Sequence, residues 1–230
     1  MIKAIFFDFN GVIIDDEPLQ MAAYQEILKQ HEIELSETDY YSALGMDDKT
    51  FVRAAFERVG KEMTDDTLRL ILEEKAVRHR KLIEHELPLF PGVVTFLKSA
   101  SRHYSLGLVS MASHSEIEYV LQRAGLHQLF SVVVNASDVS VCKPAPDCYR
   151  KALTKINDKR KLAGQPELTA KECLAIEDSP PGIESARLAG MHTLGISNTV
   201  SSEKLRAASA EVVSASLADW TVEAVRHVFN

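Results

Sequence analysis

Four short segments carry the side chains best suited to chemistry, and each lies where an apolar run stops. Asp8 ends the run Ile5-Phe6-Phe7 and leads into Phe9-Asn10-Gly11. Ser110 follows Leu106-Gly107-Leu108-Val109, with Met111 and Ala112 behind it. Lys143 follows Val141-Cys142 and precedes Pro144 and Pro146. Glu177 and Asp178 close Leu174-Ala175-Ile176, ahead of Ser179-Pro180-Pro181-Gly182. A hydroxyl with free amides at a strand-to-helix turn can hold an anion. An ammonium in a proline-fixed loop offers a compact charge to phosphate. Paired acids beside an apolar strand end suit a hard cation with oxygen ligands, as magnesium prefers. Each segment taken alone also has a plain structural reading: Asp8 as a turn or cap, Ser110 as a helix cap, Lys143 as a solvated lysine, and Asp178 or Ser179 as the cap of the next helix.

These residues need elements to position them. Apart from Lys3, apolar residues fill both faces of Ile2 to Phe7, the pattern of a central strand in a parallel sheet covered on two sides. Residues 17–87 then read as helices. Leu19, Ala23, Ile27 and Leu28 form one stripe. Ser36 and Asp39 start a helix that Gly45 stops. Phe51, Ala55, Phe56 and Val59 form another stripe, closed by Gly60. A long helix starts at Thr64 or Asp65, with Leu68, Ile71, Leu72, Ala76, Leu82 and Ile83 inward. From Pro91-Gly92 onward helices and strands alternate. Strands are expected over 104–109, 132–134, 173–176 and 193–196, and helices near 93–97, 117–124, 146–156 and 182–189. The alternation predicts an α/β fold: a doubly wound, parallel, Rossmann-like sheet made by 1–16 and 88–230, with 17–87 inserted as a small helical cap over the strand ends.

Composition narrows the partners. There are 26 basic and 33 acidic residues in 230, a net charge of -7, which argues against nucleic acid or an anionic membrane. The three cysteines fit no metal-binding or CxxC spacing, so reduced thiols are expected. No signal peptide, apolar span, repeat or low-complexity stretch is visible, and a cytoplasmic monomer is the expectation.

The four segments occur in the order Asp, Ser, Lys, Glu-Asp, each at or just past a strand end. This arrangement resembles the haloacid dehalogenase superfamily of phosphoryl-transfer enzymes over essentially the whole chain. DFNGVIID, VSMAS, VCKPAPD and AIEDSPPGIESARLAGM are similar to the beta-phosphoglucomutase and sugar-phosphatase branch, and the helical insertion followed by LPLFPGV to its small helical cap. The resemblance implies that Asp8 is the nucleophile and becomes a phosphoaspartate. It implies that Ser110 and the amides of Met111 and Ala112 bind phosphoryl oxygens, and that Lys143 neutralises the nucleophile and the transferring group. Asp8, the Asn10 carbonyl and Asp178 would ligate Mg2+, with Glu177 as a ligand or behind one.

Asn10 departs from the family pattern, which has an aspartate there to protonate the leaving alkoxide and then activate water. Such help is worth ~10²–10⁴-fold, and an amide cannot cycle a proton. Asn10 therefore reads as a substitution in an active background, as a natural change with altered activity, or as the mark of a relative that only binds. On the first reading Asn10→Asp raises turnover ~10²-fold or more. The loop Leu44 to Lys49 carries Asp47 and Asp48 where the mutase branch has an arginine, and Gln20 stands where it often has a histidine. Both favour a magnesium-dependent phosphatase of small phosphorylated metabolites, sugar phosphates above all. The alternatives are a phosphohexose mutase and a non-catalytic phosphometabolite binder. A phospho-accepting signalling receiver fits less well, because of the helical insertion and the early position of Asp8. Lys75 is the better cap candidate for binding substrate: it lies on an apolar stripe, either reaching a polar partner or snorkelling. His79 reads as boundary packing, and His114 as lining the phosphate side or as a solvated helix start. Lys49 and Arg53 could also reach a polar substrate.

Overall fold

The computed structural model describes residues 1–229. The first strand, β1 (Ala4–Phe7), is followed by four helices: α1 (Glu17–Gln30), α2 (Glu37–Ser42), α3 (Asp48–Arg58) and α4 (Asp65–Leu82). Strands and helices then alternate through α5 (Val93–Ala100), β2 (Ser105–Val109), α6 (His114–Arg123), β3 (Val132–Val134), α7 (Asp147–Leu162), β4 (Cys173–Glu177), α8 (Pro180–Leu188) and β5 (His192–Ile196). The described chain ends with α9 (Ser202–Ala207), β6 (Val212–Ser214) and α10 (Val222–Phe229). The strands form one parallel sheet in the order β3-β2-β1-β4-β5-β6. The Rossmann-like architecture expected from the alternation is therefore present. Its last three elements lie past Ile196, where the sequence pattern assigned none.

Side-chain alternation along β1 builds two cores at once. Ile5 and Phe7 face a cluster with Phe96 and Leu97 of α5, Ile117 and Val120 of α6 and Val225 of α10. Ala4 and Phe6 face the other side, against Tyr149 and Ala152 of α7 and Ala186 of α8. Both phenylalanines are fully buried, each contributing about 1.5–3 kcal/mol by leaving water. Helices α1 to α4 hold a third cluster of their own around Tyr24, Leu28, Phe51, Val52, Phe56 and Ile71.

The order places the β1–β4 boundary at the centre of the sheet, where successive strands switch from one side to the other. Such a boundary opens a crevice beyond the strand ends. Phe7 pairs with Ile176, so Asp8 and Glu177 occupy the next rung on adjacent strands. Five of the helices start on side-chain caps: Ser36 with Asp39, Asp47 on the Thr50 amide, Thr64 on the Thr67 amide, Ser113 with Glu116, and Ser179 on the Gly182 amide. Ser179 is thus the cap of α8, which leaves Asp178 free for the crevice. In α4 the inward stripe departs from expectation. Leu82 is 36% exposed and His79 is buried, while Lys75 is buried on the stripe where the pattern placed it.

Candidate active site

Asp8 leaves the end of β1, and its Oδ1 accepts from the Phe9 amide at 2.8 Å. Its side chain is 13% exposed, and Lys143 Nζ lies 3.1 Å from the same oxygen. Lys143 also donates to Glu177 Oε1 at 2.7 Å and to the Val109 carbonyl at 3.2 Å. Tyr149 of α7 donates its hydroxyl to that same Glu177 oxygen. Burial disfavours the Lys143 charge, yet Asp8 and Glu177 together hold its pKa above the usual lysine range. The lysine is therefore a fixed cation between two strand ends, with no solvated side-chain surface to speak of.

Asp8, Glu177 and Asp178 place one carboxylate oxygen each within 4.8 Å of one another. Burial pushes Glu177 up to about 7, and Asp8 adds to this against the pull of Lys143 and Tyr149. Burial, then Asp8 and Glu177, raise Asp178 well above the carboxylate range, with the Thr199 hydroxyl acting the other way. Three acids thus share one ammonium. Glu177 Oε2 is buried with no hydrogen-bond partner among the described residues, an orphaned acceptor of the kind a cation satisfies. The surrounding backbone leaves room for these oxygens. A Cβ on Gly11, whose φ is +73°, would lie 1.9 Å from Asp178 Oδ2, and one on Gly182 would lie 1.9 Å from Glu177 Oε2. The donor set is all oxygen and anionic, so it fits a hard divalent cation such as magnesium. Asn198 adds a brace, donating from Nδ2 to the Gly11 carbonyl at 2.8 Å.

Ser110 is buried one residue past β2, and its Oγ accepts from the Ala112 amide at 3.0 Å. Ser110, Met111 and Ala112 border the same pocket as Asp8, Asn10, Lys143 and Asp178. The pocket encloses about 100 Å³, room for several waters or one small metabolite. Its far wall comes from the segment between β1 and α5: Glu17, Gln20 and Tyr24 of α1, Tyr40 of α2, the 44–47 turn, Asp48 of α3 and Lys75 of α4. His114 is not brought there. It is exposed and borders a separate outer groove of about 810 Å³, which also holds Lys49 and Arg53. Arg53 pairs with Asp65 at 2.7 Å.

Lys75 is fully enclosed rather than snorkelling. Its Nζ donates to Glu116 Oε1 at 2.8 Å and to Asp48 Oδ2 at 3.1 Å, and Tyr24 donates to Asp48 as well. Burial would raise Glu116, but Lys75 and His79 bring it down to about 2. Asp48 is raised, burial outweighing Lys75. The other oxygen of Glu116 completes the capping box with Ser113, so one carboxylate both starts α6 and anchors α4. His79 is not boundary packing: its Nε2 lies 2.8 Å from Asp16 Oδ2, and its Nδ1 3.5 Å from Glu116 Oε1. Tyr40 donates to Glu17 at 2.6 Å, and burial, opposed by that bond, lifts Glu17 to about 7. The sequence reading passed over Asp16, Glu17, Glu116, Tyr149 and Thr199. Ser113-x-x-Glu116 was legible as a capping box, but the remaining links join distant segments and leave no local signal.

Comparison with known proteins agrees with this arrangement. The sequence model of the haloacid dehalogenase-like hydrolases matches residues 2–190. YhcW of Bacillus subtilis is 32% identical over 211 residues, covering 87% of this chain and 86% of that protein. The phosphorylated carbohydrates phosphatase of Thermotoga maritima is 25% identical over 197 residues, 84% of each chain. Among solved structures, beta-phosphoglucomutase from Clostridium difficile superposes with a TM-score of 0.86 at 23% identity, covering 100% of this chain and 98% of that one. With the match running through all four loops that meet at Asp8, the chain belongs to the haloacid dehalogenase-like hydrolases.

Proposed function

We propose that the protein is a phosphatase of small phosphorylated metabolites, sugar monophosphates above all, acting through a phosphoaspartate on Asp8. The observation that carries this reading is the charge of the pocket wall. Six carboxylates border it, from Asp8, Glu17, Asp47, Asp48, Glu116 and Asp178, against two ammoniums, from Lys75 and Lys143. Each lysine is already bound to two carboxylates. One phosphoryl group can be met by Lys143, Ser110 and a cation. A second anionic group would face acids with no counter-charge, which disfavours a mutase that must hold a bisphosphate.

In this reading residues 17–87 form a cap over a core made of 1–16 and 88–230, and substrate sits between them. Asp8 attacks phosphorus, the ester oxygen leaves with its electron pair and takes a proton from solvent, and water later cleaves the acyl phosphate, its proton passing to the phosphate released. Lys143 offsets the charge of nucleophile and phosphoryl group, and Ser110 Oγ with the Met111 amide faces the phosphoryl oxygens. The Ala112 amide already donates to Ser110 Oγ, so it steadies the hydroxyl. Asp8, Asp178 and the Asn10 carbonyl, with Glu177 behind them, would hold magnesium, which when bound offsets the charge of the attacking carboxylate and the phosphate.

The test is a screen of phosphorylated metabolites for released phosphate with magnesium, run beside Asp8→Asn. Sugar monophosphates should release phosphate, and the variant should release none. Bisphosphate-dependent interconversion of hexose 1- and 6-phosphates outrunning release would replace this reading with the mutase. Tight binding with no release from any metabolite would make the protein a binder.

A further inference from the structure

Asp16 is fully buried at the start of α1, yet it is surrounded by donors. Asn10 Nδ2 reaches both of its oxygens, at 2.9 and 3.1 Å. Gln20 Nε2 donates to Oδ2 at 3.1 Å, and His79 Nε2 lies 2.8 Å from the same atom. A carboxylate accepts hydrogen bonds and does not donate them, so both amides must turn their nitrogens toward Asp16. Their oxygens are left over. Gln20 Oε1 is buried without a partner, and Asn10 Oδ1 has none among the described residues. Both side chains border the Asp8 pocket.

We propose that Asp16 is a positioning residue that holds the Asn10 amide with its oxygen toward the reacting space, so that Asn10 is the matched native partner of Asp16. The amide oxygen is then a fixed acceptor for a hydroxyl of the leaving group or for the attacking water. Asn10 here replaces proton transfer by orientation. An aspartate at position 10 would instead set a second carboxylate against a buried one at hydrogen-bond distance, with no added cation. The gain in turnover that the family pattern suggests for Asn10→Asp is therefore not expected.

Two experiments decide this. The first uses thermal melting and needs no substrate. Asn10→Asp should lower the melting temperature at pH 8 by about 5 °C or more. The exchanged pair Asn10→Asp/Asp16→Asn should recover most of that loss. Equal melting of Asn10→Asp and the parent, or no recovery on exchange, would overturn the pairing. The second rests on the phosphatase reading. Asp16→Asn should lower kcat about 10-fold or more with KM little changed, because a displaced acceptor misplaces the reacting group. In an Asn10→Ala background the same change should have little further effect on kcat. A purely structural Asp16 would lower kcat equally in both backgrounds, and that result would overturn the positioning role. If no substrate is turned over, the phosphatase reading fails while the melting comparison still judges the pairing.

Discussion

At the scale of single residues, the site is a problem of like charge. Asp8, Glu177 and Asp178 crowd two adjacent strand ends, and among the described residues Lys143 is the one ammonium paired with Asp8 and Glu177. Removing one partner of a buried ion cluster costs more than the cluster itself contributes, because the remaining charges stay out of water. Lys143→Met should therefore destabilise the metal-free protein by about 3–5 kcal/mol, read from the urea midpoint at constant slope. Magnesium should return part of that stability, since it supplies the missing positive charge to the same oxygens. A midpoint unchanged by the substitution would mean that Lys143 does not neutralise this cluster. Asp8, Ser110, Lys143 and the Glu177-Asp178 pair were legible in the sequence because each marks the end of an apolar run. Asp16 was not, because its partners come from Asn10, Gln20 and His79, the last 63 residues away, and only folding brings them together.

At the scale of elements, helix α4 is tied to its neighbouring helices by buried polar groups as well as by its apolar stripe. Lys75 joins α4 to α3 through Asp48 and to α6 through Glu116, and His79 joins it to the start of α1 through Asp16. Periodicity found the helix and its Thr64 cap, since both are local. It placed Leu82 inward and His79 at a boundary, because it cannot tell a buried ionic stripe from an apolar one. Strand β6 was missed for a related reason: Val212–Ser214 is three half-buried residues long and has no run to detect. Lys75→Met should lower stability by about 3 kcal/mol or more, as Glu116 and Asp48 lose their cation. Adding Glu116→Gln should recover part of the loss, because an uncompensated buried charge is then removed. Denaturant midpoints of the two variants give the comparison, and a further drop on adding Glu116→Gln would show that the cost lies in lost packing instead.

At the scale of the whole molecule, the buried acids predict how stability follows pH. Glu17 and Glu177 have folded values near 7 against an ordinary 4.5, and Asp178 is raised as well. Between those values the fold holds protons that the unfolded chain has released. Stability of the metal-free protein must then fall as pH rises through the window, and the full penalty is present above about 7. One such shift corresponds to about 3 kcal/mol. Glu116 acts in the opposite sense, but its contribution is lost only as pH falls from 4.5 toward about 2, outside the window. The net charge of -7 pushes in the same direction as Glu17 and Glu177, through repulsion across the surface. Salt separates the two, because it screens exposed charges far more than buried ones. In about 0.5 M salt the metal-free melting temperature should therefore still be higher at pH 5.5 than at pH 8. Magnesium should raise it strongly at pH 8 and weakly at pH 5.5, where protons compete for Glu177 and Asp178. A metal-free melting temperature that is flat or rises with pH, together with a magnesium shift independent of pH, would mean that these carboxylates are ionised throughout and that the cluster is not the cation site.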